Sequence, residues 1–163
     1  MSRSRVLRAS VLSGVVFAAA LTFASGHYTI EDLSALPGGS SVGAALNSSG
    51  QVVGWSGYRD GGNTYAFVWT HGVAMYSLRT LAGGDSSSAS GINASGAVAG
   101  TSNTATSERA FLWTRTGGLK DLGVLPGDFS SSGSGLNDRG DVVGVSTGPQ
   151  FGRPTLWMSG AAA

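Results

Sequence analysis

A nine-residue motif that occurs three times constrains the fold of this chain more than any other feature. Each copy begins with an aliphatic residue and Asn, passes through two small or polar residues to Gly, and ends in an apolar run with a second Gly. The copies are LNSSGQVVG at 46–54, INASGAVAG at 92–100 and LNDRGDVVG at 136–144. Such internal repetition is typical of tandem structural repeats.

The motif has the chemistry of a β-hairpin turn. An Asn before a two-residue corner can accept hydrogen bonds from backbone amides ahead of it, and Gly after the corner can take a positive φ. The small and β-branched flanking residues suit strands. We therefore interpret Asn47, Asn93 and Asn137 as turn-forming residues rather than ligand contacts.

Two markers give the same repeat length. Trp69, Trp113 and Trp157 are spaced by 44 residues, and the turn asparagines by 46 and 44. The sequence therefore predicts three units of about 44 residues, at 28–74, 75–118 and 119–160. Each unit is predicted to hold four short strands, the first at 28–36, 75–81 and 119–125 and the fourth carrying the Trp, where it fills the core.

Short strands bounded by Gly and Ser predict an all-β fold. Period and strand number favour the four-stranded blades of a β-propeller, and a β-trefoil is the alternative. Propellers typically have at least four blades. Two chains could therefore pair into a six-bladed ring, or the chain is part of a longer array.

Residues 1–26 have the order of a secretory signal peptide, because Arg3, Arg5 and Arg8 precede an apolar run and then small residues. The pattern predicts a secreted, extracellular protein (alternatively periplasmic) with one repeat domain at 27–163. That domain keeps seven Lys and Arg against nine Asp and Glu, a charge near −2. It lacks a basic cluster, so we predict no nucleic-acid partner and no stable membrane span.

Catalytic and metal-binding patterns are weak. There are no cysteines, and His27 and His71 have no acidic partner in a common motif. Asp85 and Asp128 stand in equivalent Gly-rich loops without the acidic spacing of a calcium loop, which favours a structural role. We predict no catalytic residues, metal or cofactor.

The variable loops at 57–64, 102–108 and 146–153 are the better candidates for recognition. Antiparallel units place these loops and the Gly/Ser loops at one end, opposite the Asn turns. Loops on a rigid scaffold commonly carry binding residues. We predict a ligand site, suited to a glycan, at Tyr58, Arg59, Asp60 and the nearby Tyr65.

Several segments together resemble the HAF repeats of bacterial extracellular proteins. These are DLGVLPGD at 121–128, GIN at 91–93 followed by Val98 and Gly100, and AFLWT at 110–114. The similarity extends over 28–158, and the third unit departs most, with RPTLWM at 153–158. The resemblance implies export and a repeat scaffold, and it carries no catalytic residues.

The sequence thus favours a secreted, non-enzymatic repeat protein for binding or scaffolding. Its candidate partners are a second copy of the chain, a glycan or another cell-surface ligand. An extracellular hydrolase or lyase acting on glycans is one alternative, and a truncated fragment of a longer repeat array is another.

Overall fold

The computed structural model describes residues 28–37, 39–57 and 62–160. Contacts within the chain define two units, Met1–Glu31 and Asp32–Ala163. The predicted signal peptide, 1–26, lies outside the described residues. Of the first unit, residues 28–31 are described; they form no strand, and Tyr28 and Ile30 are fully exposed.

The described part of the second unit contains strands and no helix, which confirms the all-β prediction. The first sheet comprises β1 (Ser41–Leu46), β2 (Val52–Gly57), β3 (Thr64–Thr70) and β4 (Val73–Arg79). The second sheet comprises β5 (Ser87–Ile92), β6 (Val98–Asn103), β7 (Glu108–Thr114) and β8 (Gly118–Asp121). The third sheet comprises β9 (Ser130–Leu136), β10 (Val142–Thr147) and β11 (Gly152–Trp157).

The three antiparallel sheets are stacked in series. Strand β5 packs on β1, β2 and β3 of the first sheet, and β9 packs on β6 and β7 of the second. The stack does not close on itself, so a complete propeller ring is not formed by these three sheets. The prediction of four strands per unit is correct for two sheets and wrong for the third, which has three strands.

The predicted strand order within a unit is wrong. The segments at 75–81 and 119–125, predicted to open units, contribute to β4 and β8, which pair with the preceding Trp strands β3 and β7. The links into β4 and β8 are short, and a short link makes consecutive strands antiparallel neighbours. Each of these strands therefore completes the sheet before it, and the Trp strand is third in its sheet. Residues 28–36, predicted as a strand, form none.

The predicted turn chemistry is confirmed. The side-chain oxygen of Asn93 accepts hydrogen bonds from the amides of Ser95 and Ala97, at 3.1 and 2.9 Å. Gly96 follows with φ near 82°. Asn47 and Asn137 make equivalent bonds in the other two turns.

The same asparagines also connect the sheets. The side-chain amide of Asn47 donates to the carbonyl of Asn93, and that of Asn93 donates to the carbonyl of Asn137, both at 3.0 Å. Asn47 and Asn93 are buried. Because Oδ1 shapes the hairpin while Nδ2 reaches the next turn, one side chain fixes both the local backbone and the sheet stack.

Serine hydroxyls form a second set of links between sheets. The hydroxyl of Ser87, at the start of β5, accepts from the amide of Ala66 in β3 at 2.9 Å and donates to the carbonyl of Arg79. Ser131, at the start of β9, likewise accepts from Ala110 in β7 at 3.0 Å. Each of these buried serines therefore ties a sheet to the one before it.

The core between the first two sheets is made by aliphatic residues and Phe. Val53 and Val68 of the first sheet pack with Ile92, Val98 and Phe111 of the second. Phe67 and Phe111 are fully buried, whereas the Trp two positions later in each strand is half-buried. The prediction that the repeated Trp fills the core is therefore wrong. Phe fills it, and Trp113 packs against its edge.

The closing Gly of the repeated motif lies inside a strand. A Cβ on Gly100 would stand 2.1 Å from the carbonyl oxygen of Ser88, and on Gly54 or Gly144 it would stand 1.9 Å from the equivalent carbonyl. The register of the first strand is irregular at this point in each sheet. The glycine is needed because the bulged backbone approaches too closely for any side chain.

We expect Asn93→Ala to lower the free energy of unfolding by about 2–3 kcal/mol, since it removes turn bonds and a cross-sheet bond from a buried site. Asn137→Ala is the comparison variant, because Asn137 is exposed and its side-chain amide donates to Asp141 within its own turn rather than to a following sheet among the described residues. Its loss should be smaller by about 1 kcal/mol, since the groups left unpaired at an exposed site regain water as a partner. Urea unfolding measures both, and equal losses would contradict a cross-sheet role for Asn93.

Candidate functional site

A cleft lies between the first and second sheets, at the end that carries the Asn turns. Its volume is about 380 Å³. Strands β3, β4 and β7 end or begin here, and the second Asn turn forms part of its wall. The side chains with polar or aromatic chemistry around it are those of Gln51, Thr70, Tyr76, Ser95, Trp113 and Arg115.

Two aromatic rings face each other across the sheet boundary. Tyr76 lies opposite Val68 in the β3–β4 pair, and Val68 belongs to the face that packs on the second sheet. The Tyr76 ring therefore reaches Trp113, with ring centroids 6.3 Å apart and planes inclined by 46°. Tyr76 is 62% exposed, so a large part of its ring surface is open to a ligand.

Hydrogen-bonding groups are held beside the rings. Asn47 donates to the side-chain oxygen of Gln51 at 2.9 Å, and the Gln51 amide is 3.4 Å from the hydroxyl of Thr70. Gly96 makes room for this arrangement, since a Cβ there would stand 3.1 Å from the Gln51 oxygen. The turn that links the sheets thus also fixes the orientation of Gln51.

Arg115 adds a positive charge at the cleft. It follows β7, is exposed, and forms no ion pair with another residue that the structure describes. A guanidinium group offers several donors in one plane and pairs well with carboxylates. The cleft therefore combines aromatic surface, amide and hydroxyl groups and a cation, which suits a polar ring-shaped ligand.

Of the ligand site predicted from the sequence, only Tyr65 is described, and it lies at the end of the sheets opposite the cleft. Tyr58, Arg59 and Asp60 are outside the described residues. Tyr65 is half-buried in β3, and its hydroxyl is 3.3 Å from the side-chain amide of Asn63. The strand ends that flank the predicted loops at 57–64, 102–108 and 146–153 do lie at one end, opposite the Asn turns. A ligand role for the four residues stays a prediction.

The carboxylates of the Gly-rich loops bind neighbouring side chains. Asp128 is nearly buried, with 4% of its side chain exposed, and accepts from the hydroxyl of Ser146 and from Arg153, both at 2.6 Å. Asp85 accepts from the side-chain amide of Asn103. No cluster of three or more potential metal ligands of the His, Cys, Asp or Glu type occurs among the described residues.

Two aspartates have lowered pKa values. The hydrogen bond from Ser146 lowers the pKa of Asp128, and Arg153 adds to this against the opposing effect of burial. Asn137, then Arg139 and the amide of Ser159, hold the pKa of Asp141 well below its usual range. Asp141 thereby attaches the residues after β11 to the third Asn turn.

Sequence reasoning missed the cleft between the sheets. The sequence marks Trp113 as a repeat marker and core residue, and it predicts Tyr76 in the second unit, whereas Tyr76 belongs to the first sheet. The short link at His71 and Gly72 was the available signal, because it pairs β4 with β3 and places Tyr76 at the boundary with the second sheet.

Comparisons of the chain with models of protein families, with curated proteins and with solved structures give no match. No bilayer-spanning helix is found in the part of the chain that the structure describes.

We expect the stability of the protein to fall on acidification because of Asp128 and Asp141. A carboxylate whose folded-state pKa is lowered stabilises the fold above its unfolded pKa of about 3.9, and this contribution is lost as the pH falls through that value toward the folded pKa. Urea midpoints measured from pH 6 to pH 3 should therefore fall less steeply for Asp141→Asn than for the parent protein.

Glu108→Gln removes one negative charge from an exposed strand position and serves as the control. If the urea midpoint of Asp141→Asn falls as steeply with pH as that of the parent protein, the ionised Asp141 carboxylate does not stabilise the fold.

Proposed function

We propose that this chain is an exported, non-enzymatic β-repeat protein that binds saccharides in the cleft between its first and second sheets. The observation that carries the proposal is the combination of Tyr76, Trp113 and Arg115 at one solvent-open cleft of about 380 Å³. Export rests on the pattern of residues 1–26 and on the resemblance to HAF repeats.

The chemistry of the cleft matches that of a sugar. The axial C–H groups of a pyranose form an apolar face, which packs favourably against exposed aromatic rings such as those of Tyr76 and Trp113. The hydroxyl groups around the ring edge need partners that both donate and accept. Gln51 and Thr70 supply both kinds of group, and Arg115 can pair with a carboxylate of an acidic sugar.

The scaffold suits binding more than catalysis. The Asn and Ser links hold adjacent sheets in a fixed register, so the walls of the cleft are preformed and cost little entropy on binding. We take the three sheets to be propeller-like blades, since ligand sites between packed elements are common in such assemblies.

We expect Tyr76→Ala to weaken saccharide binding about tenfold, because it removes aromatic contact area without opening the core. Binding is measured by Trp fluorescence and calorimetry against oligosaccharides of neutral hexoses and of uronic acids. Tyr65→Ala is the matched control, since Tyr65 lies on the same sheet at the end with the variable loops. A loss with Tyr65→Ala alone would move the site to that end.

Arg115→Gln distinguishes acidic from neutral sugars. We expect it to weaken binding of uronic-acid oligosaccharides and to leave neutral ones within about twofold, since rim charges contribute modestly to neutral ligands. Lys120→Gln removes a cation from the neighbouring strand as a control. No measurable binding of either sugar class at millimolar concentration would refute the proposal.

A further inference from the structure

Among the described residues, the third sheet has no strand that corresponds to β4 or β8. In the first and second sheets the Trp strands β3 and β7 are flanked by β4 and β8. The equivalent edge of β11 has no strand partner among the described residues. An open edge presents unpaired backbone groups that can accept a further strand.

Residues 28–32 precede the first sheet in the chain as β8 precedes the third sheet, and they form no strand. In the second sheet, Asp121 ends β8 and accepts from the amide of Gly123 at 2.8 Å, where φ is 75°. Ahead of the first sheet, Asp32 accepts from the amide of Ser34 at 2.8 Å, where φ is 65°. Residues 28–32 thus precede the same local turn that follows β8.

The link into the next sheet is repeated as well. The amide of Leu36 donates to the hydroxyl of Ser56 at 3.0 Å, as the amide of Leu125 donates to that of Ser146 at 2.9 Å. The segment from 32 to 36 is therefore folded like the segment that follows β8, and residues 28–31 precede it in the chain as β8 precedes its own turn. They are exposed and form no strand.

The outer face of the third sheet is apolar and exposed where its counterparts are buried. Val143 and Leu156 are opposite each other in β10 and β11, and are 50% and 58% exposed. The residues in the same register of the first sheet, Val53 and Val68, are 0% and 8% exposed because the second sheet covers them.

The first sheet exposes the complementary half of this contact. Leu46 pairs with Val52 and is 72% exposed, whereas its counterpart Ile92 pairs with Val98 and is 9% exposed in the contact between the first two sheets. The first sheet is therefore open along β1, where the matching strand β5 of the second sheet is covered, while Phe67, the counterpart of Phe111, is already buried within the chain.

The asparagine ladder is open in the same two directions. Asn137 donates to Asp141 within its own turn and to no following turn among the described residues. At the other end, the backbone carbonyl of Asn47 accepts only from the amide of Gly50 in its own turn, among the bonds of the described residues. The carbonyls of Asn93 and Asn137 accept a second hydrogen bond, from the side chain of the preceding turn Asn.

We propose that a second copy of this chain completes the third sheet. Residues 28–32 of the second copy pair with β11, and its first sheet stacks on the exposed face at Val143 and Leu156. This interface between two copies, called the joint below, repeats the contacts between the first and second sheets and between the second and third sheets. The copies are therefore arranged head to tail. This inference is independent of the saccharide cleft.

The register of the joint follows from the two complete sheets. Tyr76 is opposite Val68 in the first sheet, and Lys120 is opposite Leu112 in the second. The equivalent pair in the joint is Glu31 of one copy with Leu156 of the other. Facing residues of this kind have Cα atoms about 5.5 Å apart, which is within disulfide range.

Pro154 makes this joint weaker than the two within the chain. It stands where Ala66 and Ala110 donate their amides to Ser87 and Ser131, and proline has no amide hydrogen. The serine of the incoming sheet, Ser41, therefore lacks one hydrogen bond in the joint. Pro154→Ala should tighten association about two- to tenfold, the value of one hydrogen bond.

Disulfide trapping tests the register. The chain contains no cysteine, so Glu31→Cys and Leu156→Cys can be made as single variants of the full chain with different tags. Both positions are exposed, so folding should be unaffected. Mixed and oxidised, they should form a disulfide between chains in high yield.

Lys120→Cys mixed with Leu156→Cys is the matched control. Lys120 precedes Asp121 in β8 as Glu31 precedes Asp32 in the segment 28–32. Unlike that segment, β8 is already paired with β7. Little cross-linking is expected. Equal yields from the two mixtures would overturn the proposal, as would cross-linking of the Glu31→Cys/Leu156→Cys double variant only within single chains.

Light scattering over a range of concentrations supplies the second measurement. The parent protein should show a mass of at least two chains that falls on dilution, and Leu156→Lys should abolish association while keeping the parent's cooperative unfolding. A single-chain mass at all concentrations, or association unchanged by Leu156→Lys, refutes the joint. Unchanged or weaker association in Pro154→Ala refutes the register at Ser41.

Discussion

The structure depends on the bifunctional use of one amide side chain. In the turn asparagine, the oxygen shapes its own hairpin and the nitrogen reaches the next hairpin. A carboxylate could serve the first purpose and a lysine the second, but Asn serves both without burying a charge. The repeated residue is thus explained by its two hydrogen-bonding ends, which must be satisfied at a buried position.

The Asn ladder has a consequence for the cleft. Asn47 orients Gln51 with the hydrogen that it does not use for the neighbouring sheet. The position of a candidate ligand-binding group is therefore set by the interaction that stacks the sheets. Tyr76 and Trp113 come from different sheets and meet only because that stack has a fixed register.

The local turns were predictable from the sequence, but the pairing of each strand with its neighbours in a sheet was not. The turns at Asn47, Asn93 and Asn137 follow from residues a few positions apart, and the positive φ of Gly96 is a local requirement. A repeat length, however, is unchanged when the starting point of the unit is shifted. Nothing in the period of the Trp residues states whether a strand belongs to the sheet before it or after it.

The core and the cleft were missed for a related reason. Phe111 is buried because a neighbouring sheet covers it, while Trp113 in the same strand lies at the rim of that contact. Both residues are apolar and share one face, so alternation cannot rank them. The tilt between Tyr76 and Trp113 likewise depends on the packing of two sheets.

The serine links carry an implication for how this protein could change in length. Ser87 and Ser131 join successive sheets through the same atoms, from an amide in the third strand of one sheet to a hydroxyl in the first strand of the next. A sheet that offers this pair of groups, the turn Asn and a matching apolar face meets the same requirements at either junction. Whole repeats can therefore be gained or lost without redesign of the neighbours, whereas an insertion of part of a repeat would break the register at every later junction.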